Sequence, residues 1–138
     1  MDLSKWQFYD IWLLMSLSSD AEGCMLNDIL RTGDLLNHTI FLQDELNYGM
    51  SKLIYNGYAE IYGNRRFRST EKAEQFLREN NHSKEGIIAK LMRLKGIFCA
   101  LPIKSGCPLT QFFTEDDMHV AHKKNKRQRR SFKTDQYK

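Results

Sequence analysis

The chain predicts a mainly α-helical fold with one small β-hairpin, an α+β domain carrying additional C-terminal helices. Three observations lead there. Apolar residues recur at helical spacing in several separate stretches, as in Leu42, Leu46, Met50, Leu53 and Ile54. Between two of these stretches lie short strand-forming runs around Gly63-Asn64, the mark of a hairpin. The composition, 41% hydrophobic and 28% charged, is that of a folded domain rather than a disordered chain, and 138 residues suffice for a single core with additions.

The first helix is expected after Ser4, with Trp6, Tyr9, Trp12, Leu13 and Leu17 on one face and Phe8, Ile11 and Met15 broadening it. So wide a stripe implies burial on more than one side, and its aromatic content exceeds what a small three-helix core readily hides, so an interface is expected there. Ser18 to Gly23 reads as a loop. Cys24-Met25-Leu26 then has the character of a brief strand before a second helix, which buries Ile29 and Leu30 and ends near Asn37-His38. The third helix follows Phe41, with the Leu42 to Ile54 stripe inward and Gln43, Asp44, Asn47, Tyr48, Ser51 and Tyr55 on its other side. Asn56-Gly57 closes it with residues that tolerate left-handed backbone.

Two hairpin registers are open. A two-residue loop sets Ile61 opposite Arg66; a three-residue loop, Gly63-Asn64-Arg65, sets Ile61 opposite Phe67 and Glu60 opposite Arg68. The second is preferred, because it pairs apolar with apolar on one face and opposite charges on the other. Thr70 caps a fourth helix that buries Ala73, Phe76 and Leu77 and stops at Asn80-Asn81. A fifth amphipathic helix carries Ile87, Ile88, Leu91, Leu94 and Phe98 on one face. The only prolines, Pro102 and Pro108, mark a connector, after which Thr114 and Glu115-Asp116-Asp117 signal a last helix running into a basic tail. The organisation is therefore a domain over 1–81, an amphipathic helix for packing or dimerisation over 82–100, a connector over 101–113, and a C-terminal helix with basic tail over 114–138.

Charge is unevenly placed. Residues 1–81 hold 8 Lys/Arg against 12 Asp/Glu, whereas residues 82–138 hold 13 against 5. Three cysteines at no metal-ligand spacing agree with free thiols in a reducing, cytoplasmic setting, and no run is long or apolar enough to predict a membrane span or an export signal. His119 and His122, with Cys99 and Cys107 upstream, match no common zinc module and read as ordinary side chains, so no metal or cofactor is expected. There is no Gly-rich phosphate loop, no nucleophile with a recognisable partner and no acid/base carboxylate pair, so no enzyme is expected, and nothing identifies a small-molecule ligand.

The order helix, helix, helix, hairpin, helix, with the run Asn56-Gly57-Tyr58-Ala59-Glu60-Ile61 and then Phe67-Arg68-Ser69-Thr70-Glu71, resembles the winged-helix superfamily. It is similar to small bacterial transcription regulators and to bacterial winged-helix proteins with an added C-terminal helical segment. The resemblance implies a winged helix-turn-helix and a double-stranded DNA partner. It places Asn64, Arg65, Arg66 and Arg68 on the wing, and Gln43, Asn47, Tyr48, Ser51 and Lys52 on the groove-facing helix. That helix starts with Asp44-Glu45 and has Lys52 as its only cation, so DNA contact is expected mainly from the wing and from Lys123, Lys124, Lys126, Arg127, Arg129 and Arg130 in the tail. The resemblance also implies a homodimer. The competing reading of the same residues is a protein-interaction or assembly module, with a solvated hairpin tip and Arg68 paired to Glu60.

Overall fold

A computed structural model describes residues 1–82 and 84–136, with side chains described through 128. The order is α1 (Phe8–Ser16), α2 (Leu26–Asn37), α3 (Gln43–Tyr55), β1 (Ala59–Tyr62), β2 (Arg66–Ser69), α4 (Glu71–Glu79), α5 (Ile87–Phe98) and α6 (Glu115–Gln136). The molecule is mainly helical with one two-stranded antiparallel sheet. No helix among the described residues is long and apolar enough to cross a membrane.

The wide stripe on α1 has the consequence expected of it. α1 packs against α2, α3 and α5, and Ile11, Leu13 and Leu14 are wholly buried. Its aromatics are largely spent in the core: Trp6, Tyr9 and Trp12 are all buried, and Phe8 is half-buried and stacked on Trp12. Trp6 joins Tyr58 and Phe98 in an aromatic cluster that also reaches Phe76 through Phe98. Its indole N–H donates to Pro102 O at 3.3 Å, satisfying the polar end of a buried ring. α1 starts later than Ser4, which lies in a turn with Asp2; Gln7 and Asp10 form the N-terminal cap instead.

Trp12 stacks on Phe41 with centroids 3.6 Å apart, and its indole N–H donates to Gly33 O at 2.9 Å. A Cβ at Gly33 would stand 2.4 Å from Phe41 Cε2, and the ring is pinned by Trp12 on its face. Gly33→Ala is therefore expected to cost about 1–3 kcal/mol by overpacking and to lower the thermal midpoint by about 3–10 °C, measurable by circular dichroism. An unchanged midpoint would show that Phe41 yields.

The hairpin takes the three-residue loop. Ile61 faces Phe67, Glu60 faces Arg68, and Arg68 bonds to Glu60 across the strands. Arg65 lies in the left-handed region, φ 59°, which that loop requires at its last position. The brief strand before α2 is a single bridge: Cys24 N donates to Phe67 O at 2.7 Å, and Phe67 N returns a bond to Cys24 O at 2.9 Å. Thr70 caps α4 as its position suggested.

Two stripes need correction. Leu42 sits at the α3 N-cap and is exposed, because inward packing begins at Leu46. On α5, Leu91, Leu94 and Phe98 are buried but Ile87 and Ile88 face outward. They lie on the first turn, before the helix settles against α1 and α2. The basic tail is also more ordered than a tail: α6 runs 22 residues from the Thr114–Asp117 capping box through most of it.

Candidate nucleic-acid interface

Residues 101–113 connect α5 to α6 by crossing the polar side of α3. Asn47 holds them with its whole carboxamide. Its Oδ1 accepts from Phe113 N at 2.9 Å, and its Nδ2 donates to Phe113 O at 3.0 Å and to Gln111 Oε1 at 2.9 Å. One turn on, Ser51 Oγ accepts from Thr110 N at 2.9 Å and donates to Thr110 O at 3.3 Å. Gln43 Nε2 reaches Phe113 O at 3.2 Å, the Tyr55 hydroxyl donates to Ser105 O, and Lys104 N donates to Asn56 Oδ1. Phe113 is buried beneath this strap.

The groove-facing set expected on α3 is therefore not presented to solvent. Asn47 and Ser51 are buried by the connector, and Tyr48 is half-buried. Lys52 points into the protein, its side chain 0% exposed and its Nζ 2.6 Å from Asp10 Oδ2. Gln43 and Tyr48 keep partial access, and the Gln43 amide is already engaged. Direct base contact by this helix face requires the connector to leave.

The hairpin residues divide. Asn64 and Arg65 are exposed, Arg66 is half-buried, and Arg68 is committed to Glu60, to Ala21 O and to the face of Tyr62. Arg65 Nη1 lies 2.7 Å from Asp117 Oδ1, which ties the hairpin tip to the first turn of α6. The Thr114 backbone N–H, and then the Arg65 guanidinium, hold the Asp117 carboxyl below its usual range. At 68% side-chain exposure Arg65 is in a solvent-screened pair that is easily exchanged for a phosphate.

α6 has two faces. Met118, Ala121, Asn125 and Gln128 follow a three-four-three spacing and meet α2: the first two are buried, Asn125 Nδ2 donates to Asn27 O, and Gln128 accepts from Arg31. Lys123 and Arg127, four residues apart, lie on the side away from that contact, flanked by Lys124 and Lys126, and all four are exposed. No acidic residue occurs from Met118 to Thr134. The side chains of Arg129 and Arg130 lie outside the described residues. His119 and His122 are exposed, and among the described residues no group of three or more His, Cys, Asp or Glu gathers as a metal-binding set.

Sequence reasoning passed over the residues that cover α3. A signal existed in the recurrence of the apolar residues Leu101, Ile103, Cys107, Phe112 and Phe113 through a stretch otherwise composed like a loop. Compared with protein-family models, with curated proteins and with solved structures, the chain finds no match in any of the three.

Proposed function

We propose that this is a winged-helix nucleic-acid-binding protein whose contact element is α6, assisted by Asn64 and Arg65 at the hairpin tip, and not α3. The observation that carries the reading is the contrast between two helices: α3 has its polar face spent on its own connector, while α6 exposes four cations within little more than one turn, with no acid among them. Duplex affinity rests chiefly on neutralising phosphates, so such a helix supplies binding with little base readout. A role in transcription regulation follows the winged-helix resemblance.

Anisotropy of a labelled DNA duplex tests it. Binding is expected at about 50 mM salt, with log affinity falling by about 0.9 per phosphate neutralised for each decade of salt. Replacing Lys123, Lys124, Lys126 and Arg127 with Ala should flatten that slope by about three to four units, and Arg65→Ala by about one at most. A wild-type chain with no affinity at low salt would sink the proposal.

A second reading, an assembly module, has its own observation: Ile87, Ile88 and Met92 are each about half exposed on α5. Apolar side chains left together on a helix suit pairing with a second copy. Light scattering should then show a dimer that Ile88→Asp dissociates, and a monomeric wild-type chain removes this reading.

A further inference from the structure

A groove of about 370 Å³ opens between the start of α2, β2, the end of the connector and α6, walled by Leu26, Phe67, Phe112, Phe113 and Val120. Three of these walls are aromatic, with Phe67 5.1 Å from Phe113 and 5.7 Å from Phe112 between centroids. The volume is in the range of small-ligand sites. Asn27 also lines it and is 5% exposed. Its carbonyl accepts from Asn125, while its side-chain carboxamide makes no hydrogen bond among the described residues and is not sealed from solvent. A carboxamide open to a groove presents a donor and an acceptor side by side. Nothing among the described residues uses that pair.

The rim settles the charge of an occupant. Arg65 and Asp117 neutralise each other, which leaves one anion and one cation, Asp116 and Lys124, eight residues apart on α6 or about 12 Å along its axis. No net charge favours a phosphate or a carboxylate. We propose that this groove binds a neutral purine nucleoside, with the adenine edge on the Asn27 carboxamide and the ring against the phenylalanines. Asparagine pairs bidentately with the amino and ring nitrogens of adenine, and aromatic walls are how proteins hold bases outside a helical stack. Adenine reaches such a site either as the free nucleoside or as a base splayed from a single strand.

An NMR titration of the full chain with adenosine tests the site. Saturable shifts are expected at the Asn27 side-chain amide and at the Val120 and Ala121 methyls. Asn27→Leu should weaken binding about tenfold or more, and indole, which has the ring but not the edge, should bind weaker by a similar factor. Val120 is 62% exposed, so Val120→Trp fills the groove mouth without entering the core and should abolish the shifts; it decides the matter should Asn27→Leu fail to fold. Absence of saturable shifts, undiminished binding by either folded variant, or equal binding of indole overturns the proposal. Oligo(dA) moving the same resonances at lower concentration than adenosine supports the splayed base as the source, and adenosine acting alone supports the free nucleoside. The test is separable from the α6 reading: adenosine binding by a chain that ignores duplex DNA upholds this site and overturns only that reading.

Discussion

Lys52→Ala is expected to cost about 3–5 kcal/mol, a large share of the 5–15 kcal/mol that holds a typical domain together. The Lys52 ammonium is wholly buried. It donates to Asp10 Oδ2 at 2.6 Å, to Lys5 O and the Tyr9 hydroxyl at 3.1 Å each, and to Gln7 Oε1 at 3.4 Å. Asp10, also 0% exposed, has only the Gln7 backbone N–H as its other described partner, at 2.7 Å, and its Oδ1 has none. Removing the cation therefore leaves a buried carboxylate in the first turn of α1 with one hydrogen bond. The penalty comes from that orphaned charge, so replacing both partners with apolar residues, Asp10→Leu with Lys52→Met, should recover most of the loss. Urea unfolding followed by the fluorescence of the buried tryptophans reads both variants; a loss under about 1 kcal/mol for Lys52→Ala would refute the pairing.

The same pair sets a pH dependence. Burial pushes the Asp10 carboxyl up to about 6 from 3.8, against the pull of Lys52. Because the folded value is the higher one, the native chain holds a proton there that the unfolded chain has released between about pH 4 and pH 6. The contribution of this carboxyl to stability is thus greatest below that window and declines as pH rises through it. Without Lys52 the carboxyl loses its compensating charge and rises further. The stability gap between wild type and Lys52→Ala should accordingly narrow from about pH 8 to about pH 5, and a gap independent of pH would show that Asp10 is not the group left exposed to the penalty.

The hairpin was legible because period-two alternation and charge act on the same few residues: only one register matches Ile61 with Phe67 and Glu60 with Arg68 at once. The α3 surface was not, and the reason is general. A 3.6-residue period tells which residues are polar, not what they are polar toward. Asn47 and Ser51, one turn apart, each combine donor and acceptor, which suits water, base edges and an extended backbone equally well. Lys52 is harder still, since its burial depends on an aspartate more than forty residues earlier that itself sits within an apolar stripe. On α6 the Lys and Arg side chains were visible as charge, but their helical order rests on Met118 and Ala121 packing and on Asn125 reaching Asn27. The strap over α3 likewise joins residues separated by more than sixty positions, beyond the reach of any local pattern.

Asn47→Ala should open that strap. The substitution strips Phe113 of a partner for its N–H, and for its carbonyl leaves only Gln43 at 3.2 Å. An unpaired buried backbone group costs about 1–3 kcal/mol and the second lost hydrogen bond about 1 kcal/mol, so a local loss of about 2–4 kcal/mol is expected. Ser51 still clamps Thr110, and the α1–α3 core is untouched, so the weakening belongs to the arm. In hydrogen exchange the amides of residues 110–118 should accelerate by about 30- to 1,000-fold while those of Leu13, Met50 and Leu53 keep wild-type protection. A uniform rise across the chain would mean that the connector and core unfold together, and an unchanged pattern would mean that Asn47 bears little of the strap. Duplex binding by the same variant separates two roles for α3. Tighter binding than wild type means that the strap conceals a competent reading face. Binding no tighter than wild type, with its salt slope still set by Lys123, Lys124, Lys126 and Arg127, means that α3 is committed to structure and that α6 carries the contact.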